Sequence, residues 1–340
     1  MEVKIHGNKF VRNGKTIWFN GINTPWDKFD DLGGRFDRIW WEDEFSRYAE
    51  NHINLARVWI HCSGKYSPEI TDEGIVTGAS VQFWNDMDEL VAIARRHRIY
   101  LLPSLWSFDM TQDSYPTHEI FRKLLASEEN LQSYVDNFLI PLVNRYNNQE
   151  YILGWEICNE PEWFFDNPDK GNFSVQQVQL MHAMFAVAIH ENCTKPVTTG
   201  SASPKWSSVT LKHLGPTAGN IWTNEALQAV LPDKEAYFDF YQIHWYAWQT
   251  RWSSAPYLTT TKQYKIDDRP VLIGETLGRG QCDELLCQTL SEMYENAWKN
   301  GYDGVCAWKT PQNDGAGSFE EIVVATNEFY AHHPALVYPN

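Results

Sequence analysis

The 340-residue chain has no C-x-x-C pair, no long hydrophobic run, no internal repeat, no low-complexity segment and no excess of basic residues. Each absence excludes something. Six cysteines without C-x-x-C spacing give no zinc ribbon and no thioredoxin-type redox motif. Cys62, Cys158 and Cys306 fall inside apolar runs, where a free thiol behaves as a small hydrophobe. A disulfide among Cys193, Cys282 and Cys287 is left open. Lys and Arg number 28 against 44 Asp and Glu, a formal charge of −16. Nucleic acid and anionic membrane surfaces both require a basic face, so neither is expected as a partner. An acidic surface mainly keeps the protein dispersed, and a neutral partner fits it better. The chain shows no leader-like and no membrane-spanning run. The expectation is an extracellular protein whose leader lies outside this sequence, with a cytoplasmic protein as the alternative. No linker divides the chain, so residues 1–340 are read as one domain, a monomer by default.

Aromatic residues are what the sequence has in excess: 16 Trp, 16 Tyr and 17 Phe, 14% of the chain. A large aromatic core accounts for many of them. The remainder suits a cleft that receives flat, partly apolar ligands, since sugar rings present C–H faces to such platforms and hydroxyls to polar groups at the edge.

Short apolar runs recur at Ile17–Asn23, Asn54–Cys62, Ile99–Trp106, Tyr151–Asn159, Val197–Ser203, Phe240–Trp248, Pro270–Thr276 and Gly304–Thr310. Amphipathic stretches lie between them, among them Val81–His97, Asn130–Tyr146, Gln176–His190 and Leu285–Asn300. Continuous apolar strands alternating with helices predict a parallel sheet covered by helices. Eight such units predict an α/β fold, a single (β/α)8 TIM barrel. Val3–Thr16, turning at Asn13-Gly14, predicts a short hairpin that caps the barrel floor. Long loops after the strands hold Tyr66, Phe108, Tyr115, Trp163, Phe164, Phe165, Trp206, Trp252 and Tyr257, and in a barrel such loops carry function.

Strand four ends in Asn159-Glu160-Pro161, and strand seven ends in Ile273-Gly274-Glu275. Two carboxylates at the ends of two buried strands are what glycoside hydrolysis requires. Strict alternation along a strand puts Glu156, Cys158 and Glu160 on one face, and Val271, Ile273 and Glu275 on another. By the same rule Gln242, His244, Tyr246 and Trp248 share a face on strand six, Arg57, Trp59 and His61 on strand two, and Cys306 and Trp308 on strand eight. A guanidinium inside a strand needs a carboxylate, so Arg57 is expected to pair with Glu275 or Glu156. Singly, a strand-end glutamate reads as a solvated cap and His244 as a satisfied core histidine. Their joint occurrence at the ends of the right strands reads as an active site.

At these positions the chain resembles glycoside hydrolase family 5, in the clan of (β/α)8 retaining glycosidases. The resemblance rests on Arg57, Asn159-Glu160-Pro161, Ile243-His244-Trp245-Tyr246, Ile273-Gly274-Glu275 and Ala307-Trp308, and it spans essentially the whole chain. It implies that Glu160 is the general acid/base and Glu275 the nucleophile. Asn159 would bond the hydroxyl on carbon two of the sugar being cleaved, and His244 would set the proton of Glu160. Tyr246 would bond Glu275, Arg57 would keep that carboxylate ionised, and Trp308 would floor the reacting sugar. Where many members carry a histidine after strand three, this chain has Trp106 in Pro103-Ser-Leu-Trp-Ser-Phe-Asp109. That departure leans toward the family's β-mannanases. Trp59, His61, Trp163 and Trp248 complete the candidate substrate-binding or supporting set.

The expected reaction is double displacement on a β-1,4-linked polysaccharide by an endo-β-1,4-mannanase, with no cofactor and no metal implied. An endo-β-1,4-glucanase, and exo-acting β-mannosidase or β-glucosidase activity, are the enzymatic alternatives. A non-catalytic carbohydrate-binding barrel would keep the aromatics but has no use for both glutamates.

Overall fold

The computed structural model describes residues 2–282, 286–309 and 315–339. Eight parallel strands close into a barrel. In chain order they are Phe19–Asn23, Leu55–Trp59, Tyr100–Ser107, Trp155–Asn159, Val197–Ser201, Tyr241–Trp245, Val271–Thr276 and Gly304–Trp308. Strand eight pairs with strand one to complete the closure. All eight expected strands are present. Strands two, five and six end earlier than their apolar runs, so Cys62, Ser203 and Trp248 lie beyond the ladder. Thr310, the expected end of strand eight, is outside the described residues.

The barrel buries two apolar layers. Phe19, Leu55, Tyr100, Leu102, Phe240, Leu272 and Cys306 point into its lower half and pack with Phe10 and Ile17 of the N-terminal segment. That segment is a three-stranded antiparallel sheet, Lys4–His6, Lys9–Arg12 and Lys15–Thr16, where a single hairpin was expected. Asn13 and Gly14 make its second turn with φ of 55° and 76°, the signature of a type I′ turn. A glycine at φ 60°, Gly7, permits the first turn, which the sequence reading passed over. Phe10 meets Phe19 and Phe240 edge-on at ring separations of 5.3 and 5.1 Å, which seats the small sheet under the barrel.

The larger layer lies between strands and helices. Val81–His97 and Val175–Asn192 are helical, capped by Ser80 and by a Ser174–Gln177 capping box. The amphipathic stretch 130–146 is not one regular helix. It runs Glu128–Tyr134, then a π-turn over Val135–Leu139, then Ile140–Tyr146. Pro141 has no N–H to give and its ring collides with the carbonyl four residues earlier, so the helix loosens there. Helix Leu290–Lys299 starts later than its pattern, behind a Thr289–Glu292 capping box. The residues just before it, Cys287–Gln288, pair with Gln281–Cys282 as a hairpin joined by a Cys282–Cys287 disulfide. This settles the open cysteine question: Cys193 is free and buried. Leu285 lies outside the described residues.

Alternation breaks where it matters most. Strands three and four each turn two successive residues outward, Leu105-Trp106 and Ile157-Cys158, and all four side chains belong to the helix-facing core. The register against strand five slips at the same place, from Thr198↔Glu156 to Gly200↔Asn159. Strand seven carries an extra residue at Gly274 relative to both of its neighbours. Val271 and Ile273 therefore face the helices, Leu272 faces the barrel interior, and Glu275 turns inward only because Gly274 is inserted before it. The expected shared face of Val271, Ile273 and Glu275, and that of Glu156, Cys158 and Glu160, are both corrected. Bulges re-aim a side chain without ending the sheet, and here they place Asn159 and Glu275 inside. A Cβ on Gly274 would come within 2.2 Å of Gln242 Cγ, so the bulge position has to be glycine.

Candidate active site

Arg57, fully buried on strand two, is the centre of the site. Its Nε and Nη2 donate to the two carboxylate oxygens of Glu156 at 2.7 and 2.5 Å. Nη1 donates to Asn23 Oδ1 at 2.8 Å and to Glu275 Oε2 at 3.0 Å, and Nη2 reaches Asn159 Oδ1 at 2.8 Å. The expected choice between Glu156 and Glu275 is resolved as both, Glu156 by a bidentate fork and Glu275 by a single bond. Burial alone would lower the Arg57 pKa, but Glu156 and Glu275 carry it upward.

Glu275 receives a second donor, Tyr246 O–H to Oε1 at 2.6 Å. Its oxygens are thereby divided, one to the guanidinium and one to the phenol, and both donors stabilise the charged form. Burial still prevails, and the carboxyl lies above its ordinary value, held back by the nearby His244, Arg57 and Tyr246. Arg57 acts in the expected direction, favouring the charged form, and so moderates a rise caused by desolvation.

Glu160 lies one residue past the ladder at φ 47°, a left-handed conformation that costs roughly 1 kcal/mol or more for a residue with a Cβ. Its N–H donates to Gly200 O at 2.7 Å, which holds the turn. Trp163 Nε1–H donates to Oε2 at 2.7 Å, and His244 Nδ1 lies 3.0 Å from Oε1. Burial pushes this carboxyl up to about 7, against the Trp163 donor and the Arg57 charge. The His244 imidazole is fully buried and pushed down to about 4. One oxygen of Glu160, one of Glu275 and one His244 nitrogen all lie within 4.8 Å of one another. The same atoms could hold a cation, but the positive charge next to Glu275 is already supplied by Arg57.

Two groups of aromatic rings lie at the strand ends and on the loops that follow them. Trp26, Trp59 and Trp308 meet edge-on, with ring centres 5.0 to 6.4 Å apart. Beside Glu160, Trp163 packs on Trp248 at 6.2 Å, and Trp248 on Trp252 at 5.1 Å. Trp248, which the strand pattern placed inside strand six, is on the 3₁₀ turn Ala247–Arg251 and is 44% exposed. It sits at the rim of the site by way of a loop, not a strand.

Two expected members are elsewhere. Trp106 is 1% exposed and packs against Phe121, Tyr134 and Phe185 of the helix layer. The paired outward residues of strand three put it there. His61 lies past the end of strand two, and its two ring nitrogens meet Ser67 Oγ at 2.8 Å and Tyr134 O–H at 2.9 Å. Burial takes its pKa down to about 3, so it is a neutral core histidine. Among the loop aromatics, Phe164, Trp206 and Tyr257 are also core residues.

Asn23, Ser104 and Glu162 support the site without having been expected. Asn23 donates to Gly274 O at 2.7 Å and Cys306 O at 2.9 Å, bracing the bulge before Glu275 while accepting from Arg57. It closes an apolar strand just as Asn159 does, and that signal could have found it. Ser104 O–H donates to Glu156 Oε1 at 2.8 Å. Glu162, buried and pushed up to about 7 by burial, accepts from Ser201, from the Ala202 N–H and from Trp222. It anchors the turn that carries Glu160.

No protein-family model matches the chain. At the sequence level it is 26% identical to a mannan endo-1,4-β-mannosidase of Cryptopygus antarcticus, covering 90% of this chain and 84% of that protein. It is 26% identical to the enzyme of the same name from Mytilus edulis, covering 90% and 87%. Its fold superimposes on the endo-1,4-β-mannanase of Eisenia fetida with a TM-score of 0.83 at 25% identity, over 96% of this chain and 95% of that one. Over most of its length the chain is therefore similar to mannan endo-1,4-β-mannosidases, and it shares their fold.

Proposed function

We propose that the protein is a retaining endo-β-1,4-mannanase in which Glu275 is the nucleophile and Glu160 the general acid/base. The observation that carries this reading is the convergence of Glu160, Glu275 and His244 within 4.8 Å. A retaining pair sits about 5–5.5 Å apart, whereas an inverting pair needs roughly 6.5–9.5 Å to admit a water. Glu275, supported by Arg57 and Tyr246, attacks the anomeric carbon. Glu160, protonated by virtue of its burial, gives its proton to the departing oxygen and then takes one from the water that releases the sugar. The Trp163, Trp248 and Trp252 rings beside Glu160 form an extended apolar platform, which suits a chain longer than one sugar. The sugar is inferred from the mannan-cleaving relatives and is a neutral partner for a surface of formal charge −16.

Mannan, glucomannan, carboxymethyl cellulose and xylan assayed for reducing ends and product length test the substrate. Short oligosaccharides released early from mannan are expected. Preferred cleavage of carboxymethyl cellulose, or release of single sugars only, overturns the reading. A pH series tests the acid. Glu160 is protonated below about 7, so kcat/KM should fall as pH rises through about 7, and should also fall at low pH as Glu275 takes a proton. Measurement over roughly pH 4 to 9 covers both limbs, and an alkaline limb well above 8 contradicts the assignment. The Cys282–Cys287 disulfide supports an extracellular location, where such bonds persist. Among the described residues, no helix is long and apolar enough to cross a membrane.

A further inference from the structure

Behind His244 lies a group of buried polar atoms. His244 Nε2, Gln242 Nε2 and Gln242 Oε1 are buried without a hydrogen-bond partner. The two nitrogens gather at Gly200, where a Cβ would lie 2.6 Å from Glu156 Oε1, 2.7 Å from Gln242 Nε2 and 2.9 Å from His244 Nε2. Glycine on strand five is thus what lets a carboxylate, an amide and an imidazole meet inside the barrel. Glu156 serves as an acceptor there: Oε1 takes Arg57 Nη2 and the Ser104 hydroxyl, and Oε2 takes Arg57 Nε.

On the other side of the imidazole, the two oxygens of Glu160 are not equivalent. Oε2 accepts from Trp163, so a protonated Glu160 carries its hydrogen on Oε1, the oxygen facing His244 Nδ1. A neutral imidazole has one N–H and one lone pair. With a hydrogen on Glu160 Oε1, the lone pair belongs on Nδ1 and the N–H on Nε2, aimed toward Glu156.

We propose that Glu156 is a positioning residue for the acid/base: through the polar cluster beside Gly200 it holds His244 as the Nε2–H tautomer, leaving Nδ1 to accept the Glu160 proton. The chain runs Glu160 Oε1–H to His244 Nδ1, then His244 Nε2–H to Glu156 through one shared water, since the two are not directly bonded. It stabilises the protonated form of Glu160. The opposite tautomer would donate from Nδ1 and stabilise the carboxylate. The other charged groups around the ring do not choose between tautomers in the same way. Glu275 Oε2 is 3.7 Å from Nδ1, beyond hydrogen-bond range, and Arg57 is a cation spent on Glu156, Glu275, Asn23 and Asn159. Asp109 acts on Glu160 only through space. His244 is neutral in the working range, so the choice is of tautomer and not of charge.

The proposal rests on Glu160 being the acid/base, yet its first test does not. Nitrogen-15 NMR of the histidine-labelled wild-type protein at pH 6 reads the tautomer directly. Protonated Nε2 with unprotonated Nδ1 on His244 is expected, and an Nδ1–H tautomer overturns the proposal whatever the protein cleaves. The second test is Gly200→Ala, which puts a methyl between Glu156 and the imidazole. Its alkaline limb of kcat/KM should move down by about one pH unit, with little loss on a substrate whose leaving group needs no proton. A folded Gly200→Ala protein with an unmoved limb refutes the link to Glu156. If Glu160→Ala retains activity while the tautomer is as stated, the catalytic reading fails and the hydrogen-bond chain stands.

Discussion

Glu275→Ala is expected to yield a folded protein with kcat reduced on the order of 10⁴ to 10⁶, the range seen when a catalytic nucleophile is removed. The fold should survive because Arg57 keeps both bonds to Glu156 and those to Asn23 and Asn159. Binding of a mannan oligosaccharide should survive as well, since the Trp26, Trp59 and Trp308 rings and the Trp163, Trp248 and Trp252 rings are untouched. Initial rates and isothermal titration on one preparation separate the two effects. Turnover within tenfold of wild type removes Glu275 from the reaction. Glu160→Ala offers the contrast. Its glycosyl intermediate should be captured by azide, which attacks without base assistance, and a β-glycosyl azide is the expected product. No azide adduct removes Glu160 from the base role.

The second large effect is on stability. Arg57→Met should lower the unfolding free energy by about 3–5 kcal/mol, because it strands a buried carboxylate instead of cancelling an interaction of modest net value. Glu156 is completely buried and loses two donors at once. Glu275 loses its only guanidinium contact, so activity should vanish too. The pair of effects separates with Arg57→Met/Glu156→Leu. Removing both charges should restore most of the stability, as matched apolar replacements of buried pairs do, while activity stays lost. Urea titrations of the two variants decide it. An Arg57→Met protein as stable as wild type would mean that water reaches Glu156 and that the pair is not sealed in the barrel.

Much of this was legible in the chain because its signals are local. Each strand is a run of apolar residues bounded by helical periodicity, and Glu160 and Glu275 each end such a run. Strands two, six and eight keep a period of two to their ends, so Arg57, His244 and Trp308 were placed correctly by counting. Counting failed on strands four and seven, where the register slips and everything beyond the slip changes face. Trp106 was named from the resemblance, and the paired outward residues of strand three turn it into the helix layer. Glu275 was put on the correct side through an incorrect partner set, Val271 and Ile273. A bulge is a negotiation between neighbouring strands, seen here in Gly274 yielding to Gln242, and no single segment of sequence reports it. His61 failed for a related reason. Its strand ends at Trp59, and the partners that satisfy its ring, Ser67 and Tyr134, come from a loop and a helix with no pattern tying them to it. Asn23 was legible and overlooked.

The side chains that Arg57 grips come from strands one, four and seven, and its bond to Glu275 joins positions 218 residues apart. The bond to Asn23 needs only neighbouring strands, but the bond to Glu275 spans from strand two to strand seven and is complete only when the first strand has found the eighth and the ring is shut. Catalytic competence and topological closure are then a single event, so recovery of cleavage during refolding is a clock for the last step of assembly. A chain cut into halves should hydrolyse nothing until the halves associate.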